Sequence, residues 1–159
     1  MDSNVCLTAV TYNRLDILKY LKRNNCPWNI QVCGNTAVSC GYLEVLKYIR
    51  ENGYQWTYYA CETASMNNQL DILKYLREND CPWNENTCNA AVQAGNFEML
   101  KYAHENGCPW NEYTYDTAYR NYLSVSYRYS DKKNIYQVML EYLKDNKCSG
   151  SKLFTIWRE

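Results

Sequence analysis

The residues Leu70-Asp71-Ile72-Leu73-Lys74-Tyr75-Leu76-Arg77-Glu78-Asn79-Asp80-Cys81-Pro82-Trp83, followed by Asn84, recur along the chain with few changes. Leu15 to Asn29 reads LDILKYLKRNNCPWN, Leu43 to Thr57 reads LEVLKYIRENGYQWT, and Phe97 to Asn111 reads FEMLKYAHENGCPWN. The central tyrosines, Tyr20, Tyr48, Tyr75 and Tyr102, stand 28, 27 and 27 residues apart. A fixed period in this range marks stacked supersecondary units, each burying its apolar face against the next.

Each block predicts a helix with an explicit end. Leu70, Leu73 and Leu76, with Ile72 and Tyr75 beside them, form a broad apolar stripe at helical spacing. Asp71 sits in the first turn, at the positive end of the helix dipole. Asn52-Gly53, Asn79-Asp80 and Asn106-Gly107 tolerate left-handed backbone, and Pro82 and Pro109 then prevent continuation. A shorter first helix is expected ahead of each block. Cys6 to Ala9, Gly34 to Ala37, Cys61 to Ala64, Cys88 to Ala91 and Tyr115 to Ala118 align at steps of 28, 27, 27 and 27. Their small residues let two helices approach closely. Asn29, Thr57, Asn84 and Asn111 are suitable N-caps, and Asn13, Gly41, Asn68 and Gly95 suit a positive-φ turn between the helices. The extra residue of the second unit is assigned to the loop between Trp28 and Gly34, where an insertion costs little.

The expected architecture is an all-α solenoid of about five helix pairs in one domain, 1–159. Its units span about 1–25, 26–53, 54–80, 81–107 and 108–148, with a C-terminal cap over 149–159. In the fifth unit Tyr142 follows Tyr102 by 40 residues, so an additional segment of 13 lies between Tyr119 and about Tyr136. The tail carries Leu153, Phe154, Ile156 and Trp157, which would cover the last apolar face of a repeat array.

Seventeen acidic residues balance seventeen basic ones, so no net charge draws the chain to nucleic acid or to an anionic membrane. The first residues lack the basic flank and apolar run of a signal peptide, and no 18-residue apolar segment occurs. A monomeric, intracellular, cytoplasmic protein with no membrane or nucleic-acid partner is expected. Nine cysteines are an odd number for a secreted framework. Cys26, Cys81, Cys108 and Cys148 share one repeat position, and Cys6, Cys61 and Cys88 another. Equivalent residues of neighbouring units stand roughly 10 Å apart, beyond the ~7 Å that a disulfide spans. Reduced, buried cysteine is the expected state. The spacing C-x6-C of Cys26/Cys33 and Cys81/Cys88 supplies half a metal site at most, and His104 is the only histidine, so no metal ligand and no cofactor is assigned.

The segment Ala94-Gly95-Asn96-Phe97-Glu98-Met99-Leu100-Lys101, continued by Glu105-Asn106-Gly107-Cys108-Pro109-Trp110-Asn111, resembles the ankyrin helix-turn-helix, G-H-L-E-V-V-K-L-L-L-E-N-G-A-D-V-N. Gly95, Glu98, Lys101, Glu105, Asn106, Gly107 and Asn111 match by letter; Met99, Leu100 and Trp110 replace valines. The likeness covers residues 3 to about 148. The family period is about 33, and the six residues missing here fall where ankyrins carry the β-hairpin finger and T-P-L-H, so hairpins shortened or absent are expected. Short repeats with the Cys-Pro-Trp-Asn turn are similar to ankyrin-like proteins of giant DNA viruses of amoebae. The resemblance implies a non-catalytic scaffold binding another protein, a host protein if the chain is viral. Some viral ankyrin proteins recruit targets to a ubiquitin ligase through an F-box-like terminal segment, which SGSKLFTIWRE does not resemble. A metal-binding cysteine array and an inert repeat copy are the remaining alternatives.

No phosphate loop or nucleophile motif points to catalysis, so no catalytic residue is assigned, and His104 reads as solvent-facing helix surface. Trp28, Trp56, Trp83 and Trp110 read as a buried ladder beneath the turns. The lysines at 19, 47, 74 and 101 each follow an acid by three residues, giving weak helix pairs. Candidate partner-binding residues come from columns that vary while packing residues persist. Thr11, Ser39, Met66, Gln93 and Arg120 form one; Ile30, Tyr58, Glu85 and Glu112, with Tyr113 beside the last, form another. The fifth-unit insertion adds Tyr127, Arg128 and Tyr129, residue types frequent at binding hot spots; a lengthened helix pair is the equal alternative there.

Overall fold

The computed structural model describes residues 4–125, 130–148 and 150, and it is helical throughout, with no strand among the described residues. The chain falls into two compact units, Met1–Pro82 and Trp83–Glu159. The first holds α1 (Asn4–Thr11), α2 (Leu15–Arg23), α3 (Ile30–Cys40), α4 (Leu43–Glu51), α5 (Tyr58–Met66) and α6 (Leu70–Glu78). The second holds α7 (Glu85–Gln93), α8 (Phe97–Glu105), α9 (Glu112–Ser124) and α10 (Ser130–Asp145).

In the first unit α1 packs on α2, α3 on α4 and α5 on α6, while the first helices of successive pairs, α1, α3 and α5, pack on one another. In the second, α7 packs on α8 and α9 on α10, with α7 against α9 and α8 against α10. The small column makes this possible. Ala9, Ala37, Ala64, Ala91 and Ala118 are all buried, as are Leu18, Leu46, Leu73 and Leu100 of the second helices. A side chain limited to a methyl group lets neighbouring backbones approach, and the leucines fill the remaining space.

Every helix end except that of α9, which stops at an extended Val125, is closed in the same way. Asn13, Gly41, Asn68 and Gly95 after the first helices have positive φ, as do Asn25, Gly53, Asp80, Gly107 and Lys147 after the second. The next residue then donates its amide to a carbonyl five positions back, as in Arg14 to Ala9 (2.8 Å), Cys26 to Leu21 (3.0 Å), Cys81 to Leu76 (2.9 Å), Cys108 to Ala103 (2.9 Å) and Cys148 to Leu143 (2.8 Å). This is the Schellman arrangement, in which an apolar residue after the left-handed position folds back onto the last helical turn. Cysteine occupies that place because it is small and apolar. Asn24, Asn52, Asn79, Asn106 and Asn146 satisfy one more terminal carbonyl by donating Nδ2 to Tyr20, Tyr48, Tyr75, Tyr102 and Tyr142 at 2.8–2.9 Å.

Three of the four expected N-caps use their side chains. Asn29 accepts from the Val32 amide, Asn84 from Asn86 and Asn111 from Tyr113, the last within a capping box with Thr114. Thr57 starts α5 without a side-chain bond; its carbonyl accepts the Cys81 thiol at 3.5 Å instead. Cys108 repeats this on Asn84 (3.2 Å) and Cys148 on Asn111 (3.4 Å).

Several expectations require correction. The first helices are the shorter ones only in the first and last pairs, eight residues in α1 against nine in α2 and 13 in α9 against 16 in α10; α5 and α6 both have nine, as do α7 and α8, and α3 has eleven against nine in α4. The extra residue of the second unit lies inside the first turn of α3, because that helix begins directly after the Asn29 cap. The fifth-unit insertion lengthens α9 to 13 residues and α10 to 16, the lengthened helix pair that the sequence offered as one reading. Residues 126–129 between them, and the cap over 149–159 except Gly150, lie outside the described residues. The tryptophans at 28, 56, 83 and 110 are half-buried, not a buried ladder.

One unit departs from the cysteine rule and shows what the rule is for. Tyr54 replaces the turn cysteine and is fully buried, with its hydroxyl donating to Asn35 Oδ1 at 2.7 Å. Burial pushes its phenol pKa up to about 12. Gly34 makes the room: a β-carbon there would stand 2.4 Å from the Tyr54 ring. Gly34→Ala is expected to cost about 1–3 kcal/mol by overpacking and to become nearly neutral in a Tyr54→Cys background. Urea unfolding of the double-mutant cycle measures this, and equal costs in both backgrounds would show that the ring is not what the glycine accommodates.

Candidate functional site

The varying columns fall at the two ends of the first helices. Tyr58 opens α5 and Met66 closes it, so about 12 Å of helix separates them at 1.5 Å per residue. Within the first unit, Tyr58 and the adjacent Tyr59 are 40% and 57% exposed, with ring centroids 4.3 Å apart. Their hydroxyls share a hydrogen bond, which raises the Tyr58 pKa. Met66 is 40% exposed at the far end. The structure therefore separates these two candidates into different patches on one helix.

The second unit repeats the division. Glu112 and Tyr113 begin α9 and line a groove of about 590 Å³ with Trp110, Asn111, Lys147 and Cys148. Tyr113 is 60% exposed beside it. Gln93 and Arg120 meet in a separate groove of about 420 Å³ with Thr117, Asn121 and Ser124. The Arg120 guanidinium is steadied by Nε donating to the Asp116 carbonyl at 3.4 Å. Glu85 begins α7 and is half-buried. Tyr127, Arg128 and Tyr129 lie outside the described residues.

The turns after the second helices hold a feature that sequence reasoning missed. Three of the turn tryptophans, Trp28, Trp56 and Trp110, each lie beneath a side chain from the end of the preceding helix, six residues earlier. Lys22 Nζ stands 5.0 Å from the Trp28 ring and the Arg50 guanidinium 4.6 Å from Trp56. Arg50 also donates Nη1 to the Tyr54 carbonyl at 2.6 Å, tying helix end, turn and ring together. Such contacts contribute roughly 0.5–1 kcal/mol at exposed sites and place positive charge at the helix C-terminus, where the dipole favours it. The constant six-residue spacing was available in the sequence. The lysine column likewise does more than pair with acids. Lys47 meets Glu44 at 2.7 Å, as the spacing predicts, but it also stands 5.9 Å from the Tyr75 ring. Lys19 lies 5.6 Å from the Tyr48 ring of the next pair, and Lys101 reaches forward to Glu105 at 4.0 Å.

His104 takes the covering position over Trp110, which corrects its reading as solvent-facing. It is half-buried, stacked on the indole at 3.5 Å with 7° between planes, and Tyr142 meets both rings edge-on at 5.9 and 6.1 Å. Its chemistry here is packing. Among the described residues no group of three or more His, Cys, Asp or Glu side chains is arranged to hold a metal ion, and no described helix is long and apolar enough to cross a membrane.

Burial lowers the His104 pKa below its ordinary 6.5, opposed by a hydrogen bond with Asn146 and the charge of Glu105. The folded chain thus binds fewer protons here than the unfolded chain, so stability is retained above about pH 6.5 and lost as pH falls through the folded value. Between about pH 7.5 and about pH 5 the melting midpoint should fall further for the wild type than for His104→Phe, which keeps a stacked ring without a titrating group. Identical pH slopes would show that His104 titrates as it does in the unfolded chain.

No known family model matches the chain, and no curated protein sequence aligns with it significantly.

Proposed function

We propose that the chain is an ankyrin-like helix-turn-helix repeat protein whose role is non-catalytic recognition of another protein. The observation that carries this reading is the contrast between constancy and variation at equivalent positions. Every repeat spends the same residue types on packing: alanine in the first helix, leucine in the second, asparagine and a left-handed residue at the stop. The first residues of α3, α5, α7 and α9 are Ile30, Tyr58, Glu85 and Glu112, a different surface in nearly every unit. A regular backbone with interchangeable exposed positions is how repeat proteins form extended recognition surfaces. Tyr58, Tyr59 and Tyr113 suit such a role. They are exposed, need only two side-chain torsions to be ordered, and combine apolar area with a hydroxyl.

Against nucleic acid stands the neutral charge, with basic side chains committed to rings and carbonyls of their own repeat. The test is affinity capture from cell lysate, comparing the wild type with a Tyr58→Ala, Glu85→Ala, Glu112→Ala, Tyr113→Ala variant whose helicity and melting are unchanged. Retained proteins should fall at least tenfold in the variant, the effect of losing about 1.4 kcal/mol of binding energy. Identical sets of retained proteins would place recognition elsewhere or remove it.

A further inference from the structure

The first unit keeps its positive charge on one set of helices. Its lysines and arginines lie in α2, α4 and α6, except Arg14 in the turn before α2, which pairs with Asp16 at 2.9 Å. The first helices α1, α3 and α5 hold neither lysine nor arginine, and Glu62 in α5 is their one charged side chain. The second helices accordingly supply cations to the rings around them. Lys22 stands over Trp28, Arg50 over Trp56, Lys19 over Tyr48 and Lys47 over Tyr75, at 4.6–5.9 Å from the ring centroids.

Tyr58 and Tyr59, at the start of α5, are open rings on the helices without cations. Both are exposed, their centroids are 4.3 Å apart with 34° between the planes, and no cation among the described residues stands over either. Glu62 follows Tyr58 by four residues and Tyr59 by three, so its carboxylate shares their face of the helix. The adjoining helix α3, packed on α5, adds an exposed Val32 in its first turn. Tyr12 and Tyr20 are more exposed still, but each is a single ring with a basic neighbour in the chain, Arg14 or Lys19, whose charge repels a second cation.

Building on the recognition role inferred above, we propose that Tyr58, Tyr59 and Glu62 receive an arginine from a basic segment of the partner protein. The guanidinium lies flat on the electron-rich ring face, which is the strong geometry for a cation on an aromatic. Its N–H groups reach the Glu62 carboxylate, as a planar fork of donors does, and its aliphatic stem finds apolar contact at Val32. Arginine suits the site better than lysine because it is flat, stacks on aromatic faces and gives up water more readily. An acidic segment or a nucleic acid meets no compensating cation on α1, α3 or α5.

The probe is an end-blocked octapeptide of alternating glycine and arginine, with a glycine–lysine peptide as its charge-matched control. Titrated into the full ¹⁵N-labelled chain, the arginine peptide should shift the amide resonances of Tyr58, Tyr59 and Glu62 saturably, and the lysine peptide should bind severalfold more weakly. A Tyr58→Ala, Tyr59→Ala variant with unchanged melting should bind the arginine peptide about fivefold more weakly. A Tyr58→Phe, Tyr59→Phe variant should bind it as the wild type does, because the ring faces and not the hydroxyls hold the cation. Absence of saturable shifts at these amides, equal binding of the two peptides, or undiminished binding by the alanine variant would overturn the proposal. Lysate proteins still lost with the fourfold variant would then leave the recognition role in place with a partner of other chemistry.

Discussion

A left-handed residue after every helix but α9 reverses the chain, and the residue that follows is pressed back into the helix it has just left. Nearly everything else depends on that reversal. It fixes where a small side chain must stand, so Cys26, Cys81, Cys108 and Cys148 are buried although they lie in turns. It also brings their thiols to carbonyls of the preceding turn, at Thr57, Asn84 and Asn111. Proline after three of these cysteines keeps the helix from resuming, and the tryptophan after the proline is left half-buried, Trp28 covered by Lys22 and Trp110 by His104. The Cys-Pro-Trp-Asn signature is therefore one mechanical unit: bury, stop, cover, cap.

The reversal sets the limits of variation as well. Tyr54 at the cysteine position is tolerated only with glycine at 34, and Lys147 adopts φ of 65° where the other repeats use asparagine, aspartate or glycine. In the lengthened last repeat the same Asn–X–Cys ending closes α10, so growth inside the helices leaves the stop intact. Positions outside this machinery, such as Tyr58 and Tyr113, carry no packing duty and are the ones that change.

Helix identity, helix ends, the alanine column and the left-handed positions were legible in the sequence, because each rests on local chemistry at a fixed spacing. Asn13, Gly41, Asn68 and Gly95 all adopt the backbone that their side chains favour. What escaped depends on contacts between elements. The tryptophans have the look of core residues by type, yet they are half-buried, and a side chain six residues earlier covers the rings of Trp28, Trp56 and Trp110. His104 was assigned by its place on an amphipathic helix, and the ring it covers comes from the following turn. The surface columns were equivalent in sequence, but the length of α5 places Tyr58 and Met66 at opposite ends of one helix.

Amide hydrogen exchange at the turn cysteines tests the controlling reversal most directly. Their amides are bonded to carbonyls five residues back and sealed by a buried side chain. The expected result is protection of the Cys81 and Cys108 amides equal to that of Leu73 and Leu100 within the helices, although both cysteines lie beyond the helix ends. Exchange of these two amides as fast as in an open loop would contradict it.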